Sequence, residues 1–135
     1  MSLFKAFATA VALVPAAAGI AAAENVISAD QQEFGQSVTI QSVTAEQDGW
    51  LVMHAVQDGQ AVVPASIGHT YIKAGTTENV AVALTEPSEG GPLVAMIHVD
   101  DGEAGVYEFG PDSTEHDKPV MSDDGPVVAK FEVAN

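Results

Sequence analysis

The 135-residue chain carries 19 acidic against 4 basic residues, a formal net charge of −15, and no cysteine. Its length fits one domain. The charge argues against nucleic acid and anionic lipid as partners, and the missing cysteine excludes disulfides, Cys-based zinc sites, haem attachment and blue copper.

Residues 1–23 read as a secretory leader. Lys5 is the one charge before Glu24, the apolar run from Ala6 to Ile20 is broken by Pro15, and Ala21 and Ala23 precede Glu24. That is the n-region, h-region and A-x-A plan, with cleavage expected after Ala23. A permanent anchor needs ~20 unbroken apolar residues, and no later segment supplies them. Removing the leader takes away Lys5 and leaves every acidic residue. An exported domain of about 110 residues without disulfides must then rely on its hydrophobic core.

Residues 24–34 read as a loose N-terminal lead, and 35–135 as the folded domain. In Ser37–Val43, Val38 and Ile40 share a face. Trp50–Val56 is apolar on both faces, which predicts a central strand covered on two sides. Asp58-Gly59 signals a tight hairpin turn. Ser66–Ile72 is rich in β-formers, Lys73–Asn79 reads as a turn, and Asn79–Thr85 puts Val80, Val82 and Leu84 inward. Glu86–Pro92 reads as a loop, Leu93–Val99 as a second doubly apolar strand, Val106–Phe109 as a short strand and Asp112–Lys118 as a polar loop. Val127–Val133 alternates, with Lys130 and Glu132 on its polar face. About seven or eight strands at roughly 8–12-residue spacing, with no helical period, predict an all-β, two-sheet antiparallel β-sandwich. Ser37–Val43 and Val127–Val133 are expected nearer the edges.

The segments GWLVMHA, IGHTYIKAGTTENVAVAL and AMIHVDDGEAGVYEFGPDSTEHDKPV resemble a family of secreted domains of uncharacterised function, frequent in haloarchaea and found in bacteria. The resemblance spans nearly all of Val38 to Val133. Its most specific piece is an H-x-D-x-G-x-x-G-x-Y-E-F pattern, met by His98, Asp100, Gly102, Gly105, Tyr107, Glu108 and Phe109. It implies an immunoglobulin-like sandwich and no activity. Proline commonly follows the Tyr-Glu-Phe triplet in that family. Here Gly110 intervenes before Pro111, so the local turn is expected to differ.

Three readings compete for the stretch from Ala95 to Gly110. As a calcium loop it offers Asp100, Asp101, Glu103, Glu108 and Asp112, with Gly105 at the turn. Calcium wants about six to eight oxygens from alternating positions, and Gly102 and Ala104 stand where two ligands should be. A copper site would draw on His54, His98 and Met96, since imidazole and thioether suit the two copper oxidation states. It requires both histidines on neighbouring strands with one orientation. The structural reading needs no ligand. Asp100 and Asp101 open a hairpin turn, Gly102 and Gly105 take positive φ, Tyr107 and Phe109 pack into the core, and Glu108 faces outward. The sequence favours this reading. A buried His is then a neutral imidazole bonded to one backbone carbonyl, and His69 and His116 stand alone, partly exposed.

Catalytic motifs are missing. PASIGHT lacks the first glycine of a nucleophile elbow, and neither H-E-x-x-H nor a P-loop occurs. Ser66, His69 and Asp58 make a triad only on paper. The expectation is a non-enzymatic, periplasmic or secreted binding or surface module with no resident cofactor, whose partner is a cation, an extracellular protein or a glycan. The alternative is a periplasmic metal-binding protein, with calcium ahead of copper.

Overall fold

The computed structural model describes residues 24–33, 35–88 and 90–134. The leader reading of residues 1–23 lies outside them. The described chain is all strand and loop, and no helix in it is long and apolar enough to cross a membrane.

Among the described residues eleven strands run in chain order: β1 Val26–Ser28, β2 Gln32–Glu33, β3 Gly35–Ala45, β4 Gly49–Gln57, β5 Gln60–Ala61, β6 Gly68–Ile72, β7 Gly75–Ser88, β8 Gly91–Val99, β9 Met121–Ser122, β10 Gly125–Pro126 and β11 Val128–Ala134. They form a β-sandwich. One layer is β1-β3-β7. The other is β2-β11-β8-β4-β5, with β6 also paired to β4, and β9-β10 is a small separate hairpin.

Period-two alternation builds the core between the layers. Val38 faces Val82 and Ile40 faces Val80 across the β3–β7 ladder, and all four are buried. Leu51 and Met53 of β4, Leu93, Ala95 and Ile97 of β8, and Phe131 and Val133 of β11 meet them from the other layer. The Asp58-Gly59 turn closes the β4–β5 hairpin with both residues at positive φ, 55° and 80°, as a two-residue primed turn requires.

Five expectations are corrected. The 24–34 lead is tied down at two points, because β1 pairs antiparallel with β3 and β2 pairs parallel with β11. Lys73–Asn79 is mostly strand. The β-branched Thr76 and Thr77 pair with Thr44 and Val43, and the Thr44 and Thr76 hydroxyls lie 2.8 Å apart. Glu86–Pro92 is no long loop. β7 continues to Ser88 and β8 starts at Gly91, with Gly90 and Gly91 at φ 113° and 93°. Val106–Phe109 joins no ladder. β3 is not near an edge but central in its layer, flanked by β1 and β7, whereas β11 does lie toward the edge of the other layer, between the two-residue β2 and β8. The doubly apolar β4 and β8 are central and mutually paired, as their composition predicts.

Candidate functional site

The outer face of β4 and β8 is covered by residues 100–119, and the side chains between sheet and cover form the candidate site. Register places Trp50 opposite His98, Val52 opposite Met96, and His54 opposite Val94. These six share one face because each lies an even number of residues from its strand neighbours. Met53 points the other way, into the inter-layer core.

The cover is a loop that folds back over the sheet, not a hairpin. It leaves β8 at Asp100, makes a small Gly110–Ser113 bridge, and returns beside β8. The Val99 N–H donates to the Lys118 carbonyl at 3.0 Å, and the Val120 N–H to the Ile97 carbonyl at 2.8 Å. Tyr107 and Phe109 therefore pack on the outer face of the sheet rather than in the inter-layer core. Tyr107 stacks on His69, centroids 4.4 Å apart, and meets Trp50 edge-on at 5.5 Å. Phe109 meets His98 edge-on at 5.0 Å.

Asp117 ties the cover together. It is fully buried, with φ 57°, a left-handed conformation that Asp tolerates better than most residues. Its carboxylate accepts from the Asp101 N–H at 2.8 Å and the Glu108 N–H at 2.7 Å. Its own N–H donates to Asp101 Oδ1 at 2.6 Å. Burial pushes the Asp117 carboxyl above the ordinary Asp value. The two N–H donors oppose that rise, and the Asp100 and Glu108 carboxylates add to it.

The other acids of the loop are acceptors too. Asp100 accepts from the Gly105 N–H at 3.0 Å, and Glu108 Oε1 from the Glu103 N–H at 3.0 Å. Glu108 thus turns back on the loop instead of facing outward. Gly102 and Gly105 have φ 75° and 76°. Asp101 Oδ1 lies 3.7 Å from the His116 ring. Glu103 and Asp112 are exposed. Among the described residues, no three His, Asp or Glu side chains are arranged to hold a metal ion.

The histidines are brought together. His54 and His98 are fully buried, with ring centroids 5.8 Å apart and planes at 22°. They stand two pairs apart in the register, with the Val52–Met96 pair between them, and their rings nonetheless come within 5.8 Å. His54 Nδ1 sits 3.0 Å from the Val62 carbonyl and 2.8 Å from the Ala65 carbonyl, and His98 Nδ1 sits 2.7 Å from the Asp117 carbonyl. A carbonyl only accepts, so each Nδ1 carries a proton, and a ring in its neutral form then presents a bare Nε2 lone pair. Burial pushes the His98 imidazole down to about 4. Its bond to the Asp117 carbonyl opposes that fall, and the His54 ring adds to it.

Among the described residues, both Nε2 atoms and Trp50 Nε1 are buried without a hydrogen-bond partner. A buried polar group left unpaired costs roughly 1–3 kcal/mol, so three in one cluster weigh against the stability of the fold. Burial pushes the Tyr107 phenol up to about 12, a hydrogen bond toward Ser66 opposes that rise, and the Asp117 carboxylate adds to it. Beside the cluster, an outer groove of about 460 Å³ is lined by Val94, Met96, Phe109, Pro119, Val128 and Lys130, among others.

Sequence reasoning missed Asp117, which looks like any acid of a polar loop. It also missed the Trp50–His69–Tyr107 cluster, because the cover that assembles it has no periodicity. His69 is exposed, as expected, but not alone.

The molecule is thus an all-β sandwich with a histidine- and aromatic-lined face sealed by an acidic loop. Residues 25–134 match the family described as Domain of unknown function (DUF7282), and the chain belongs to it. No curated protein and no solved structure matches the chain.

Proposed function

We propose that this chain is an exported, acidic, non-catalytic binding or surface module, with an immunoglobulin-like sandwich as its frame. The observation that carries the reading is the use of Asp100, Glu108 and Asp117 as acceptors for the chain's own N–H groups. Such a loop is a fixed cover, and its acids are engaged in holding it rather than poised for proton transfer. The leader pattern at 1–23 and the excess of acids support export and a partner outside the cytoplasm, either a cationic extracellular protein or a glycan. A second reading, metal binding, is favoured by the paired imidazoles over the acidic loop.

The test begins with protein recovered from outside the cytoplasmic membrane of an expressing cell, whose mass should place its first residue at Glu24. Melting at fixed ionic strength should then give equal temperatures with calcium and magnesium, and a gradual rise with added salt through screening alone. Retention of residues 1–23 in a cytoplasmic product would contradict export. A rise with micromolar calcium alone would contradict the fixed-cover reading.

A further inference from the structure

We infer that the space between His54 and His98 is a site for a soft monovalent metal ion, Cu(I) or its redox-inert analogue Ag(I). The two Nε2 atoms would be its nitrogen ligands and Met96 its thioether neighbour. This deepens the metal-binding reading and stands apart from the question of export.

Four observations converge on it. Each imidazole is held through Nδ1–H by a backbone carbonyl, the outer-shell arrangement that fixes a metal-ligating histidine and leaves Nε2 free. Both free Nε2 atoms are buried and unpartnered, so the fold holds two lone pairs ready with no internal donor to meet them. The rings are 5.8 Å apart, which confines a shared ligand to something the size of one atom or a water molecule. In the strand register the Val52–Met96 pair stands between the His54 and His98 positions on the same face, and Met96 is buried there.

The chemistry of the set selects the ion. Zinc prefers four ligands of nitrogen, sulfur or carboxylate type, and calcium wants an oxygen cage. Two neutral imidazoles and one thioether form a soft, uncharged set of low coordination number, which suits Cu(I). A neutral set in an apolar shell also favours one positive charge over two, because each buried charge must be compensated. The buried Asp117 carboxylate, on the residue whose carbonyl fixes His98, is the compensating charge the cover provides. Met96 and Phe109, whose ring meets His98 edge-on, both line the outer groove beside the pair.

The test is a titration of the purified chain with Ag(I), and with Cu(I) under anaerobic reducing conditions against a competing chelator. It is read by melting and by long-range proton–nitrogen spectra of the imidazoles. One equivalent should bind and raise the melting temperature. Both Nε2 resonances should move while both Nδ1–H protons persist. Calcium and zinc should move neither ring. Met96→Leu keeps the side-chain volume and the fold, and should weaken Cu(I) by roughly tenfold or more, whereas His54→Gln should abolish the one-to-one complex. A folded chain that leaves the ring nitrogens unmoved by Ag(I) overturns the proposal. So does an Ag(I) affinity unchanged in Met96→Leu and in His54→Gln, which would assign the uptake to the acidic surface.

Discussion

At the scale of single residues, Asp117 decides the shape of the covered face. Its carboxylate takes two backbone N–H groups and its carbonyl takes the His98 ring proton. Asn at this position keeps one acceptor oxygen but turns an amide toward the second N–H. Asp117→Asn should therefore cost roughly 1.5–3 kcal/mol, the range for hydrogen bonds to a charged group. Chemical denaturation would measure it, and amide exchange at Asp101 and Glu108 should accelerate. A change within 0.5 kcal/mol would show that the cover is held elsewhere. The Asp100 contact was partly legible in the sequence, because its partner Gly105 lies five residues ahead within one turn-rich stretch. Asp117 was not, because Asp101 lies sixteen residues away and only the folded loop brings them together. Likewise, strand alternation puts His54 on the Trp50 face, but nothing in the spacing says that its ring reaches His98.

At the scale of elements, composition was a good guide to strands and a poor one to turns. The doubly apolar β4 and β8 had to be covered on both faces, and they are, by the second layer and by the loop. The turn-like composition of Lys73–Asn79 misleads because, from Gly75 on, pairing with β3 overrides local preference. Glycine also has a packing role that propensity misses. A Cβ at Gly68 would fall on the Ala83 carbonyl oxygen of β7, and one at Gly49 on the His98 carbonyl oxygen of β8. The approach at Gly68 joins the layers, since the adjacent Ile67 carbonyl accepts from the Thr85 N–H at 2.7 Å. Gly68→Ala should destabilise the fold by roughly 1–3 kcal/mol through overpacking. Gly110→Ala, in open space, should change stability by under ~0.5 kcal/mol. Equal effects in thermal melts would contradict the close approach of β6 and β7.

For the molecule as a whole, the sandwich and its acidity were legible, since alternation and charge are written residue by residue. The covered face was not, because it is assembled from three strands and a loop with no period of its own. That face also sets the response to acid. The His98 imidazole lies near 4 in the fold against 6.5 in the unfolded chain. Below 6.5 the unfolded chain gains a proton that the fold refuses, so stability is full above that value and falls as pH drops through about 4. Asp117 has the opposite sign. Its raised carboxyl makes a contribution that is present at low pH and lost as pH rises through its folded value. The covered face rests on two buried imidazoles, each with its Nδ1–H toward a backbone carbonyl and its Nε2 without a protein partner among the described residues. The most direct measurement is a long-range proton–nitrogen spectrum of the chelator-treated chain followed from pH 7.5 downward, about 3.5 units or to unfolding. The account predicts two rings with protonated Nδ1 and unprotonated Nε2, and a His98 ring that stays neutral until about 4. Protonated Nε2 on either ring at neutral pH, or a His98 midpoint at 6.5, would contradict it.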